Sequence, residues 1–443
     1  MSNFENNNLV INNSEILNLL KSNYTKEDIC KLKDFLSNKK TFDDKCLENG
    51  LFQAAMLAEE TEYTGYSSVW VRDNIYVAYS YYLIGRVNVA TKNVKTLMTY
   101  FRKHKRDFEK IIEGQVAPEE IMKRPHIRFN GRNLEKIDQE WNHAQNDALG
   151  YFLWFYCKLA IEGHIEPELY DLETLVLFPF YFQAIHYWED EDSGHWEEDR
   201  KVEASSIGVV VAGLKELKQL LTKKTHLTSH CRYKVQFVTS EFLDELIDLG
   251  TISLDKILPS ECIQPAPKQR RYDAALLFLI DPLKVVESEI ADRILNDVIR
   301  NLQGNYGIRR YLGDSFWCRD YKDIPEQIRT TVSSEREQWF KENDRELIVG
   351  EEAQWCIFDP IVSAIFGLKF QQTNREEYLD RQIHYLNRSL GQLTGKDSSF
   401  GEFMCPELYY LQNGQYVPGD ATPLLWTQAN LRIALNAIEQ SLS

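Results

Sequence analysis

The sequence lacks several things, and each absence argues against a class of protein. Its eight cysteines, at positions 30, 46, 157, 231, 262, 318, 356 and 405, never stand in C-x-x-C spacing, so a zinc ribbon or thioredoxin-like motif is not expected. Such scattered cysteines are expected as reduced thiols of a cytoplasmic protein. No window approaches eighteen uninterrupted apolar residues, which argues against a membrane-spanning helix. The opening MSNFENNNLVINNSEIL has neither a basic start nor an apolar core of signal-peptide length, in keeping with a cytoplasmic location. Positive charge is in deficit: 51 Lys and Arg against 67 Asp and Glu leave a net charge of −16, a poor match for nucleic acid or an anionic membrane. The stretch 391–396, GQLTGK, is one residue short of a P-loop. There is no repeat of fixed period that would mark a solenoid. An EF-hand fails as well, because placing Gly194 at its invariant glycine puts Arg200 where the bidentate Glu belongs. Neither metal nor cofactor is expected.

What is present is apolar and helical. Hydrophobic residues make up 43% of the 443, with 23 Tyr and nine Trp, enough for one large core or for two or three average domains. Periodicity predicts helices over 73–85, 89–112, 145–160, 172–187, 205–221, 237–249, 273–280, 288–302, 353–368, 375–390 and 423–442. Asp73 is expected to cap the first of these, and Thr422 the last, with Pro423 at its first helical position. The nearly continuous apolar run 149–157 implies burial on both sides, as in an inner ring. Residues 1–48 read as a polar helical extension and 314–350 as a charged excursion over one face. Paired helices joined by unequal loops suggest an all-α protein, an α/α toroid over 49–443, with its function on the loops.

The loops carry the chemistry. The stretch 187–206, YWEDEDSGHWEEDRKVEASS, sets Trp196 before Glu197 and Glu198, directly ahead of an apolar helix. An aromatic neighbour and a second carboxylate both raise a carboxyl pKa, which suits a proton donor near neutral pH. Four further loops have sugar-gripping composition: 66–73 (YSSVWVRD), 141–147 (WNHAQND), 306–314 (YGIRRYLGD) and 401–426, which holds Glu402 and Glu407. Trp70 is suited to stack on a sugar ring, and Arg72 with Asp73 to bind hydroxyls. Either Arg309 or Arg310 is placed to reach a cavity. His143 reads as a structural histidine, because nothing nearby supplies a nucleophile for it. The residues alone leave open which of Glu402 and Glu407 faces the site.

Taken in order, Trp-x-Arg-Asp, Trp-Glu-Glu before a helix, Arg-Tyr-x-x-Asp and a late Glu ahead of Pro-Leu-x-Trp resemble glycoside hydrolase family 15, the glucoamylases and their relatives. The motif style at 139–148 (QEWNHAQNDA), 203–208 (EASSIG), 302–311 (LQGNYGIRRY) and 406–410 (PELYY) resembles most the N-terminal portion of the phosphorylase kinase α and β subunits. The resemblance implies an (α/α)6 toroid and an inverting glycosidase acting at the non-reducing end of α-glucans or maltooligosaccharides. In it Glu197 matches the general acid and Glu407 the general base. Tyr66, Trp70, Arg72, Asp73, Trp141, Trp196, Glu198 and Arg310 match the sugar-binding positions. An inverting pair needs about 6.5–9.5 Å between carboxyls to admit water. Arg200, close behind the acid, is expected to lower its pKa. The alternative implied by the same resemblance is a non-hydrolytic glucan-binding or regulatory protein, with a protein partner on the 314–350 excursion.

Overall fold

In the computed structural model, residues 9–44, 46–55 and 65–442 are described. The apolar run at 149–157 lies in helix Asn146–Ile161, where every residue except Lys158 and Ile161 is buried. It packs on Ala204–Lys223 so closely that glycine is required at the crossing. A Cβ on Gly150 would stand 2.9 Å from the Val209 backbone, and one on Gly213 would stand 2.8 Å from the Gly150 carbonyl.

Six helices form the inner ring: Val71–Leu83, Asn146–Ile161, Ala204–Lys223, the short Leu277–Ile280, Phe358–Thr373 and Leu425–Ser441. Each packs on the next, and the last closes on the first. Outside them lie Lys26–Asn38, Val87–Lys103, Leu177–Ala184, Ser240–Ile257, Ser288–Asn301 and Glu376–Gly391. These are mostly amphipathic. Ser288–Asn301, for example, buries only Ala291, Ile294, Leu295 and Val298, a single helical stripe. The architecture is the expected (α/α)6 toroid. Lys26–Asn38 lies within the stretch that the sequence sets apart as an extension. It starts with a Thr25–Asp28 capping box and buries Ile29, Leu32 and Leu36 with Leu431, Leu435 and Ile438 of the last inner helix.

Several boundaries differ from expectation. The helix predicted over 89–112 breaks into Val87–Lys103 and Arg106–Ile112, and that over 172–187 into Leu169–Leu175 and Leu177–Ala184. Asp73 does not cap its helix: extended Trp70 precedes Val71, so Arg72 and Asp73 fall in the first turn. The last helix starts at Leu425, not Pro423, after extended Leu424. The 314–350 excursion contains a helix of its own, Ser333–Glu342.

Short strands, which periodicity does not predict, brace the loops. Val69–Trp70 pairs with Arg128–Asn130, and Gln354–Trp355 pairs with Leu408–Gln412. The latter strand returns as Gln415–Pro418 through Asn413 and Gly414, both at positive φ. That Asn-Gly pair is a hairpin signal readable in the sequence. Among the described residues, no helix is long and apolar enough to cross a membrane.

Candidate active site

The inner helices begin at one end of the ring, and the segments entering them converge there. Strand Val69–Trp70 runs straight into helix Val71–Leu83, so the first turn presents Arg72 and Asp73 to that end. Arg72 is 3% exposed and spends its guanidinium on two carboxylates. Its Nη1 donates to Asp147 at 2.5 Å and its Nη2 to Glu197 at 3.0 Å. The indole N–H of Trp141 donates to the other oxygen of Glu197 at 2.8 Å. On the far side, the hydroxyl of Tyr66 donates to Glu407 at 2.8 Å.

Aromatic rings join these two halves. Tyr66 packs 5.5 Å from Trp70, and Trp70 packs 6.0 Å from Trp141, centroid to centroid. A continuous wall therefore runs from Glu407 through Tyr66, Trp70 and Trp141 to Glu197. Asp73 is buried beside it and accepts no side-chain hydrogen bond among the described residues.

Burial sets the acid–base properties of this end. Desolvation pushes Glu197 up to about 7, against the pull of Arg72 and Arg128, with Asp73 adding to the rise. Desolvation likewise pushes Glu407 up to about 8, opposed by the Tyr66 hydrogen bond and Arg310 and reinforced by Asp73 and Glu197. Asp73 is raised to about 6, again chiefly by burial. The cation next to Glu197 is Arg72, not Arg200, whose guanidinium reaches the Glu191 carbonyl instead.

Glu198 belongs to a second cluster. Its predecessor Glu197 ends the short 3₁₀ turn Gly194–Trp196 in the left-handed region, at φ 60°, and the two adjacent carboxylates take different partners. Lys201 and Arg270 pair with Glu198, and Tyr311 and Ser333 donate their hydroxyls to it. Burial alone would raise this carboxyl, but Arg270, Lys201 and Arg310 outweigh it and hold Glu198 well below the ordinary range. Trp196 donates to Asp273 at 3.0 Å, with Arg310 over its ring. Arg310 forms a bidentate pair with Asp314, at 2.6 and 2.7 Å. Glu198, Trp196 and Arg310 thus form one connected cluster, and the charge of Arg310 also reaches Glu407.

Glu402 is half-buried in the loop beside Thr394, whereas Glu407 is 4% exposed and held by Tyr66. His143 is buried and stacked 3.6 Å from His126, and desolvation lowers it to about 2. The sequence reading missed Asp147, Arg128, Arg270, Lys201 and Tyr311. Asp147 and Tyr311 lie inside loops singled out by composition. Arg270, in KQRRY, carries no signal beyond its charge.

One glycine positions the turn. Gly194 sits at φ +49°, and a Cβ there would meet the Glu203 carboxylate oxygen at 1.5 Å. Gly194→Ala is therefore expected to destabilise the chain by about 1–3 kcal/mol, because left-handed strain adds to displacing the buried Glu203 carboxylate from Lys201. Urea unfolding midpoints would check this, with Gly114→Ala, open around its Cβ, as the control for strain alone.

Comparison with known proteins agrees with this architecture. The family model for glycosyl hydrolases family 15 matches residues 44–413. A probable phosphorylase b kinase regulatory subunit alpha from Caenorhabditis elegans is 23% identical over 412 residues, 85% of this chain and 31% of that protein. The skeletal muscle isoform of that subunit from Mus musculus is 25% identical over 299 residues, 64% of this chain and 21% of that protein. The chain thus spans about a third or less of the length of these curated relatives. Among solved structures, a wild-type glycosidase superposes with a TM-score of 0.64 at 15% identity, covering 94% of this chain and 99% of its own. Glucoamylase from Saccharomycopsis fibuligera superposes with a TM-score of 0.58 at 12% identity, covering 99% and 98%. With the family matched across most of its length and the toroid shared with these enzymes, the chain belongs to the glycosyl hydrolases family 15.

Proposed function

We propose that the chain is an inverting glycosidase that removes glucose from the non-reducing end of α-glucans or maltooligosaccharides, in the manner of the glucoamylases it resembles in fold. One observation carries this reading. Two buried glutamates from distant parts of the chain stand at the ends of a single aromatic wall, both raised towards neutral pH.

Glu197 is the proposed general acid, protonating the glycosidic oxygen, and Glu407 the proposed base, activating water on the opposite face. Both carboxyls are raised chiefly by burial, and the charge of Glu197 adds to the rise of Glu407. The reaction requires the proton on Glu197 and the charge on Glu407, whereas Glu407, at about 8, holds its proton more tightly than Glu197, at about 7. Asp73, without a side-chain donor of its own, is the proposed acceptor for sugar hydroxyls, and Trp70 and Trp141 are the proposed stacking surfaces. Such contacts turn binding into orientation.

Proton NMR of fresh digests of maltotriose is expected to show β-glucose appearing first. An α-anomer would reject the inverting mechanism, and no release from any α-glucoside would reject hydrolysis.

One observation favours a second reading. Arg72 and the Trp141 N–H both favour the ionised form of Glu197, the opposite of what an acid needs. In that reading the site binds glucan without cleaving it, as a regulatory module does, and calorimetry detects maltose binding in the absence of turnover.

A further inference from the structure

The arginines near the site are not equivalent. Arg72 pairs with Asp147 and Glu197, Arg310 with Asp314, and Arg270 with Glu198 and Asp273. Arg128 is as deeply buried, 4% exposed, yet has no carboxylate in ion-pair contact among the described residues. Its Nη1 donates to the neutral Gln139 at 2.8 Å, and its Nε is buried without a partner among the described residues. A buried guanidinium committed only to an amide is costly unless something nearby benefits from its charge.

The position of Arg128 shows what benefits. It sits in strand Arg128–Asn130, in register with Trp70. Its guanidinium lies 4.1 Å from the centroid of Trp141 and 5.0 Å from that of Trp70, on the wall between the two candidate glutamates. The chain is shaped around it. A Cβ on Gly65, itself at φ +74°, would come within 2.6 Å of Nη2. Trp141, on whose face the cation rests, is the residue that donates to Glu197.

We propose that Arg128 is a positioning residue of the site. It clamps the Trp141 indole that holds Glu197, and it serves as the through-space counter-charge to that carboxylate. This inference rests on the proposed role of Glu197 for its bearing on catalysis, but not for its test. The groups facing Glu197 are Arg72 and Asp73 from helix Val71–Leu83, Trp141 from the loop before Asn146–Ile161, Tyr66 and Glu407 across the wall, and Arg128. Asp147, behind Arg72, draws off part of that arginine's charge. Arg128 is therefore the cation on this side of Glu197 that no other acid claims among the described residues.

The test is a titration of Glu197 that does not depend on turnover. With glutamate labelled at the side-chain carboxyl with ¹³C, the Glu197 signal is identified by its loss in Glu197→Gln and followed by NMR from pH 4 to 9 in the full chain. Arg128→Met is expected to raise the midpoint by about one unit, since a neighbouring cation favours the charged form. Arg128→Lys, which keeps the charge, is expected to stay close to wild type. Arg128→Gln serves as a second charge-free variant should the methionine variant not fold. If hydrolysis is present, the alkaline limb of kcat/KM moves up with the midpoint in the charge-free variants alone. A midpoint unchanged in both charge-free variants, or displaced equally by lysine, overturns the inference. Absence of hydrolysis with the shift intact would reject the enzyme reading and leave the positioning role standing.

Discussion

Glu197→Gln and Glu407→Gln are each expected to lower glucose release from maltooligosaccharides by about a thousandfold, the scale set by losing one positioned acid or base. Both substitutions keep the shape of the side chain, although the amide in Glu197→Gln can accept from only one of Arg72 and Trp141, so the loss should appear chiefly in kcat. Residual rates within tenfold of wild type for either variant would reject its assigned role.

The same Glu407→Gln variant has a second, independent readout. Folding raises the Glu407 carboxyl from its ordinary 4.5 to about 8, chiefly by desolvation. A group raised on folding favours the native state below its unfolded value, and this contribution is lost as pH rises through the folded value. The wild type should therefore lose stability between pH 5 and 8 relative to the glutamine variant. The Tm of the variant should exceed that of wild type by a margin that is small at pH 5 and grows towards pH 8. A margin constant with pH would mean that Glu407 is not held in this desolvated state.

Arg72→Met should have the largest effect on stability. It leaves Asp147, fully buried, with no cation in contact except the edge of His195 at 3.7 Å, and that histidine is itself lowered to about 4 by burial. Breaking a buried pair by removing one partner costs about 3–5 kcal/mol, because the remaining charge is uncompensated. Arg72→Lys keeps the charge but cannot bridge Asp147 and Glu197 together, so an intermediate loss is expected. Urea unfolding at pH 7 measures all three. A loss under about 1 kcal/mol for the methionine variant would mean that Asp147 takes up a proton or finds another donor.

These outcomes depend on contacts with very different legibility in the sequence. The apolar run at 149–157 announced a helix buried all round, because burial on every side removes the polar positions that periodicity would otherwise show. The ordered motifs likewise marked Glu197, Glu407, Arg72 and Trp141, which the structure brings to one end of the ring. The hairpin at Leu408–Gln412 and Gln415–Pro418 was overlooked despite its Asn-Gly turn, since its strands are short beside the long helices.

Other features had no local signal. Nothing in Trp196-Glu197-Glu198 tells which glutamate meets the wall and which meets Arg270 and Lys201. That was decided by the left-handed turn at Glu197 and by cations lying elsewhere in the chain. Arg128 carries no local signal beyond its charge, and only the fold closes Trp70 and Trp141 over it.

By itself the sequence determined most helices of the ring and the composition of its loops, while setting Lys26–Asn38 outside it. Helices follow from periodicity and caps within a few turns of chain, where the controlling interactions are local. Only the tertiary structure decided which carboxylate is paired, which lacks a side-chain donor, and which arginine has no ion-pair partner among the described residues. Those assignments arise from contacts as distant as Tyr66 and Glu407, 341 residues apart, and from burial that no local pattern encodes.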